Sequence, residues 1–139
     1  MAEEIVEGIS AEVFKHQADA TLDQTDPVSG TKYEVLATTK NVRIILIEAQ
    51  CTWTVQPTPL EIHVTIDGQP LVFSKADPVS EDYYYATPYA PVAGGSLNVV
   101  AEVRHRAFLL EGRSVKVEAE ITGGTVSNLS ARVKYAKIP

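Results

Sequence analysis

The chain has very little cysteine and no long apolar run. Among 139 residues Cys51 is the single cysteine, so no disulfide can form within the chain and disulfide-stapled scaffolds are excluded. Ala49 and Trp53 share the face of Cys51 in a strand pattern, which favours a small buried hydrophobic residue over a reactive thiol. No segment approaches the roughly 20 consecutive apolar residues of a membrane-spanning helix. We therefore expect no membrane partner.

Basic residues are also scarce. The chain has 12 Lys and Arg against 18 Asp and Glu, which gives a formal net charge of −6. Because a negative field repels phosphate backbones, we expect no nucleic-acid partner, and the cations of Arg104-His105-Arg106 are more typical of a solvated strand end. The start, Met1-Ala2-Glu3-Glu4, lacks the basic and apolar regions of a secretory signal. We expect no signal peptide and synthesis in the cytoplasm.

Recognisable catalytic and metal-binding motifs are absent as well. The histidines lie on three separate predicted elements: His16, His63 and His105. A zinc site needs about four converging ligands, so their spacing argues against one, and we expect His63 to be an exposed strand residue. Acidic residues in predicted turns could frame a calcium site, although turn formation is the simpler explanation: Asp67, Asp77, Glu81 and Asp82. Without a nucleophile elbow or a phosphate loop, we expect no enzyme, no cofactor and no metal.

The sequence is rich in alternation between apolar and polar residues from Lys32 to Ile138. The clearest run is Leu60 to Ile66, which is closed by the hairpin signal Asp67-Gly68. The alternation predicts strands at about 12–22, 32–38, 42–54, 60–66, 71–74, 82–87, 97–104, 114–122 and 129–137. Strands at this spacing, with no helix between them, predict an all-β antiparallel sandwich, jelly-roll-like, over residues 12–139. Residues 1–11 are predicted to be a short N-terminal arm.

The same pattern predicts the residues of the core. One apolar residue in every two faces inward along each strand, and those expected to be buried are Ile45, Ile47, Trp53, Ile62, Val64, Val99, Val117 and Val133.

The arm and one strand carry apolar residues that this core does not use. On the arm side these are Ile5, Val6, Ile9 and Phe14, and on the outward face of the strand at 42–54 they are Ile44 and Leu46. Because apolar groups on a free arm are unfavourable in water, we expect the arm to dock on a neighbouring copy or a larger surface, over Ile44 and Leu46.

Tyrosines are concentrated near the middle of the chain: Tyr83, Tyr84, Tyr85 and Tyr89. Because consecutive strand residues alternate between faces, some of these rings are expected to lie on the outside. Exposed tyrosines suit a protein interface or sugar stacking, while rings packed over the edge of the sandwich are the structural alternative.

Three stretches of the sequence resemble a known class of proteins. They are VSGTKYEVLATTKNVRII at 28–45, Thr52-Trp53-Thr54, and VTIDGQ at 64–69. They are similar to small β-sandwich structural proteins of virions, such as head-decoration and tail accessory proteins of tailed phages and related viruses. The resemblance spans residues 28 to about 110 and implies a non-catalytic virion component. It further implies a homo-oligomer, often a trimer, that binds a capsid or tail surface. A carbohydrate-binding sandwich that uses the region Tyr83 to Tyr89 is the alternative.

Overall fold

The computed structural model describes residues 17–76, 78, 83–86, 93–94 and 110–138. These residues form ten strands: β1 (Gln17–Thr25), β2 (Tyr33–Thr38), β3 (Val42–Val55), β4 (Leu60–Ile66), β5 (Gln69–Lys75), β6 (Tyr83–Ala86), β7 (Ala93–Gly94), β8 (Leu110–Gly112), β9 (Val115–Ile121) and β10 (Thr125–Lys137). The predicted arm, the predicted strand at 97–104 and its residue Val99 lie outside the described residues.

The strands form two antiparallel sheets. One has the order β1-β10-β3-β6-β7, with β8 also paired to β3, and the other has the order β2-β9-β4-β5. Strands β1 to β4 alternate between the two sheets, β4 and β5 form a hairpin, and the late strands β9 and β10 insert between earlier ones. This is the double Greek-key order of a jelly roll, so the predicted sandwich is confirmed.

The core lies between the inner faces of the two sheets. Five of the residues predicted to be buried have no exposed surface: Ile47, Ile62, Val64, Val117 and Val133. Trp53 is half-buried and packs against this cluster. Every second residue is buried along all of β9 and along β4 from Leu60 to Val64, while Ile66 at the end of β4 is half-buried and packs against the core. The inner faces therefore follow the period of two in the sequence.

A register shift in β3 changes which residues face the core. In the pairing with β10, Leu46 is opposite Lys134 but Ile44 is opposite Tyr135, so Ile45 is an extra residue. Such a bulge reverses the alternation beyond it. As a result Ile44 is only 4% exposed and belongs to the core, while Ile45 is half-buried. The predictions that Ile45 faces inward and Ile44 outward were wrong for this reason.

Positive φ angles mark two turns, and the first of them, Asp67-Gly68, confirms the predicted hairpin. Asp67 and Gly68 have φ angles of 50° and 83°, as a two-residue hairpin between β4 and β5 requires. Gly123 and Gly124 have φ angles of 72° and 70° and connect β9 in one sheet to β10 in the other. By contrast, the first predicted strand, at about 12–22, ends too early, because β1 continues to Thr25 in register with Asn128 to Ser130.

Candidate functional site

The outer face of the four-stranded sheet carries a row of carboxylates. Glu61 on β4 is directly opposite Glu120 on β9, and Glu118 on β9 is flanked by His63 on one side and by Glu34 of β2 on the other. Like charges placed opposite each other across two strands are unfavourable. We refer to these five residues as the acidic face. Its four carboxylates give it an excess of negative charge, which a bound cation would reduce.

His63 lies among the carboxylates of the acidic face. Its Nε2 is 2.8 Å from Oε1 of Glu120, with which it forms a hydrogen bond, and 3.6 Å from Oε1 of Glu61. Only 16% of the His63 side chain is exposed, against 26% for Glu61 and 14% for Glu120. The prediction that His63 is simply an exposed strand residue was wrong, because the two neighbouring side chains cover it.

The three side chains bring one nitrogen and two carboxylate oxygens together. These ligand atoms all lie within 4.8 Å of one another, so the described residues contain one group that could hold a metal ion. Imidazole and carboxylate together are typical ligands of zinc and similar ions. The alternation of β4 placed Glu61 and His63 on one face, but Glu120 is distant in sequence and only the pairing of β4 with β9 brings it near.

An open groove crosses the outer face of the six-stranded sheet. Its volume is about 430 Å³, and it lies over the small side chain of Ser130 in β10. The groove is lined by Thr21, Leu22, Asp23, Glu48, Ala49, Asn128, Ser130, Ala131 and Arg132. Most of these residues are polar, and we refer to the feature as the polar groove.

The polar groups of this groove already contact one another. Asn128 Nδ2 donates a hydrogen bond of 2.8 Å to Oδ1 of Asp23, and Arg132 Nε is 2.8 Å from Oε1 of Glu48. The second contact is an ion pair without good hydrogen-bond alignment, so the buried Arg132 Nε lacks a hydrogen-bond partner. In contrast to the acidic face, one carboxylate here lies beside a guanidinium and the other accepts a hydrogen bond from an amide.

The backbone of the tyrosine strand lies next to this groove. In the pairing of β6 with β3, Tyr85 is opposite Glu48, Tyr84 is opposite Ala49 and Tyr83 is opposite Gln50. Tyr89 lies outside the described residues. The role of these tyrosines in an interface or in sugar stacking stays a prediction. The strand that carries three of them pairs with β3, which lines the polar groove.

The edge of the four-stranded sheet exposes apolar residues. Strand β5 is the last strand on its side of that sheet in the described structure. Leu71 and Val72 are consecutive residues of β5, and 42% and 47% of their surfaces are exposed. Sequence reasoning did not single them out, because alternation assigns one of any two neighbours to the core.

The other predicted site residues fall in three groups. Ile5, Val6, Ile9 and Phe14 lie outside the described residues, Ile44 is in the core, and Leu46 is half-buried on β3. The prediction that the arm docks over both Ile44 and Leu46 was therefore wrong, because the bulge at Ile45 turns Ile44 into the core.

Two further predictions concern Cys51 and Asp67. Cys51 is buried, and loss of solvation raises the pKa of its thiol to about 11, as expected for a structural cysteine. Asp67 Oδ1 accepts hydrogen bonds from the backbone N–H groups of Arg113 and Ser114, at 2.9 and 2.8 Å. This carboxylate thus ties two turns together, which agrees with its assignment as a turn former.

Comparisons with known proteins do not assign the chain to a family. No protein-family model matches the chain, and no curated protein matches it either. A chain in a solved structure, described as "Structure of infectious bursal disease virus Gt strain", is similar at 10% sequence identity with a TM-score of 0.25. The similarity covers 88% of this chain and 40% of the viral chain. In the described part of the chain, no helix has the length and hydropathy needed to cross a bilayer.

Proposed function

We propose that the chain is a non-catalytic structural protein of a virus particle that assembles with copies of itself. The single observation that supports self-association is the exposed apolar edge at Leu71 and Val72 of β5. Jelly rolls are frequent among viral capsid domains, which agrees with the sequence resemblance to virion proteins. Because the same fold also serves lectins, the fold alone does not decide the function.

The β5 edge has the features of a pairing surface. A two-residue turn closes the β4–β5 hairpin, so Ile66 and Gln69 form a hydrogen-bonded pair and every second pair follows it. Val72 and Ser74 therefore direct their N–H and C=O groups away from β4. Natural edge strands are usually protected by charge, proline or bulges, and β5 has Pro70 and Lys75 only near its ends.

A second copy of the chain fits this edge. Two β5 strands that pair antiparallel about a two-fold axis would satisfy the backbone groups of Val72 and Ser74 in both copies. The same contact would remove Leu71 and Val72 from water, which is favourable by about 25 cal/mol per Å² of apolar surface. The N-terminal arm would add a second contact, and a capsid or tail surface would be the larger partner.

This proposal can be tested by placing a charged side chain on the β5 edge. Val72→Lys should lower the mass of the assembly toward that of the monomer in sedimentation velocity, because lysine is repelled from its own symmetry mate. Val28→Lys is a matched control, since Val28 is 62% exposed in a loop away from β5. A strictly monomeric wild type at high concentration, or an unchanged mass for Val72→Lys, would contradict self-association through this edge.

Carbohydrate binding is the second candidate. The observation that favours it is the polar groove, whose carboxylates, amide and guanidinium can bind hydroxyl groups, with the tyrosine strand beside it. If this function is correct, a glycan-array screen should give a saturable ligand whose binding is lost in Asn128→Ala. An array without any signal would leave the assembly proposal standing alone.

A further inference from the structure

We propose that Glu61, His63 and Glu120 bind one divalent transition-metal ion of the zinc type on the outer face of the four-stranded sheet. The site borders the β5 edge, since His63 is the cross-strand partner of Val72, but its three ligands lie on β4 and β9 and the inference does not depend on the assembly proposal. It also departs from the expectation, drawn from the spacing of the histidines, that the chain has no metal site.

The first argument is the convergence of the three ligand atoms. In a tetrahedral zinc site, metal–ligand distances of about 2.0–2.2 Å place neighbouring ligand atoms roughly 3.3–3.6 Å apart. Here His63 Nε2 lies 2.8 Å from Glu120 and 3.6 Å from Glu61, and all three atoms lie within 4.8 Å. Small side-chain rotations are therefore enough to place an ion between them. The fourth position would face solvent and hold water.

The second argument is electrostatic. Glu61 and Glu120 are cross-strand partners, and the nearby pair of Glu118 and Glu34 adds two more carboxylates. Lys116 Nζ lies 3.5 Å from Oε2 of Glu118, so its charge is directed at that residue. The pair formed by Glu61 and Glu120 consequently needs a cation of its own. A metal ion held between these two carboxylates and His63 would supply that charge.

The third argument is the rigidity of the backbone below the site. Strands β4 and β9 are the two central strands of the sheet, and their inward residues Ile62, Val64, Ala119 and Ile121 are fully buried. The Cα positions of the three ligands are thus fixed by core packing, and little order has to be gained when an ion binds. Imidazole favours zinc, nickel or copper over magnesium or calcium, which prefer oxygen ligands.

The experiment is a titration of the chelator-treated protein with Zn²⁺ by calorimetry. We expect one ion per chain and a rise in the melting temperature on saturation. His63→Gln and Glu120→Gln should each weaken binding roughly 10-fold or more, since even partners beyond the ligands themselves contribute roughly 10–100-fold. Glu34→Gln is the matched control, because it removes the same charge from the same face without removing a ligand, and it should bind Zn²⁺ like the wild type.

Three outcomes would overturn the proposal. The first is the absence of saturable Zn²⁺ binding, which would mean that the three side chains do not hold a metal ion. The second is equal binding by the wild type and His63→Gln, which would place the ion away from His63. The third is a loss of Zn²⁺ affinity in Glu34→Gln as large as that in His63→Gln, which would indicate a diffuse attraction of cations to the acidic face. Circular dichroism of each variant confirms that it is folded, and Glu61→Gln replaces any variant that is not.

Discussion

The two sheets of this protein have similar inner faces and very different outer faces. Inside, both sheets contribute fully buried aliphatic residues, such as Ile62 and Val117 from one and Ile47 and Val133 from the other. Outside, the six-stranded sheet matches its charges, as in the pair formed by Arg132 and Glu48. The four-stranded sheet instead collects carboxylates around one histidine. The inner faces determine the fold, and the functional differences have to be sought on the outer faces.

The largest expected effect comes from a charge placed on the shared inner face. Val64→Asp would bury a carboxylate without a partner at a fully buried position, which should cost about 5 kcal/mol or more and prevent folding. Thr65→Asp is the control, since the neighbouring side chain points outward and is half-buried. Far-UV circular dichroism with urea titration checks both variants. A soluble Val64→Asp variant that unfolds cooperatively would show that the two sheets do not share a dry interior.

Smaller changes test whether the two inner faces form one cooperative unit. Ile47 lies in the six-stranded sheet and Ile62 in the four-stranded sheet, and neither has exposed surface. Ile47→Ala and Ile62→Ala should each lower the free energy of unfolding by about 2–5 kcal/mol, because each leaves a cavity. Both variants should retain one transition by fluorescence and by circular dichroism. Two separate transitions in either variant would mean that the sheets unfold independently.

The turn that connects the two sheets offers a matched pair of substitutions. Gly123 and Gly124 both have positive φ, but a Cβ on Gly124 would lie 2.5 Å from the carbonyl oxygen of Val55, whereas one on Gly123 meets nothing within 4 Å. Gly123→Ala should cost about 1–2 kcal/mol from backbone conformation alone. Gly124→Ala should cost more, about 2–4 kcal/mol, because the Val55 strand end has to move. Equal losses in chemical denaturation would contradict this steric difference.

The smallest effect concerns the thiol on the inner face of β3. Burial raises the pKa of Cys51 to about 11 from an ordinary value of 9.0, so the folded state keeps the proton that the unfolded state loses first. The contribution of the protonated Cys51 thiol to the free energy of unfolding is fully present below pH 9 and is lost as the pH rises toward 11. Between pH 8 and pH 10 it should fall by about 1 kcal/mol relative to Cys51→Ala. Identical pH profiles for the two proteins would argue against a dry environment at this position.

Local signals explain why much of the fold was predictable. The strand from Leu60 to Ile66 and the turn at Asp67-Gly68 depend on neighbouring residues, and both agree with the structure. The bulge at Ile45 does not depend on neighbours, because it arises where β3 pairs with β10. The candidate metal site has the same origin, since His63 and Glu120 are brought together by the pairing of β4 with β9. Alternation predicts which face a residue occupies, but it does not say which strand lies beside it.

The position of β10 has a consequence for how the protein is made. This strand lies between β1 and β3, and its residues Leu129 and Val133 fill the middle of the interior. During synthesis the first and third strands leave the ribosome long before the strand that joins them. The edges of β1 and β3 that pair with β10 stay unpaired until residues 125–137 have been made. Folding of the six-stranded sheet is therefore a late event, governed by contacts that are far apart in the sequence, and such topologies fold slowly. Until β10 is available, the growing chain exposes apolar surface and strand edges of the kind that favours aggregation.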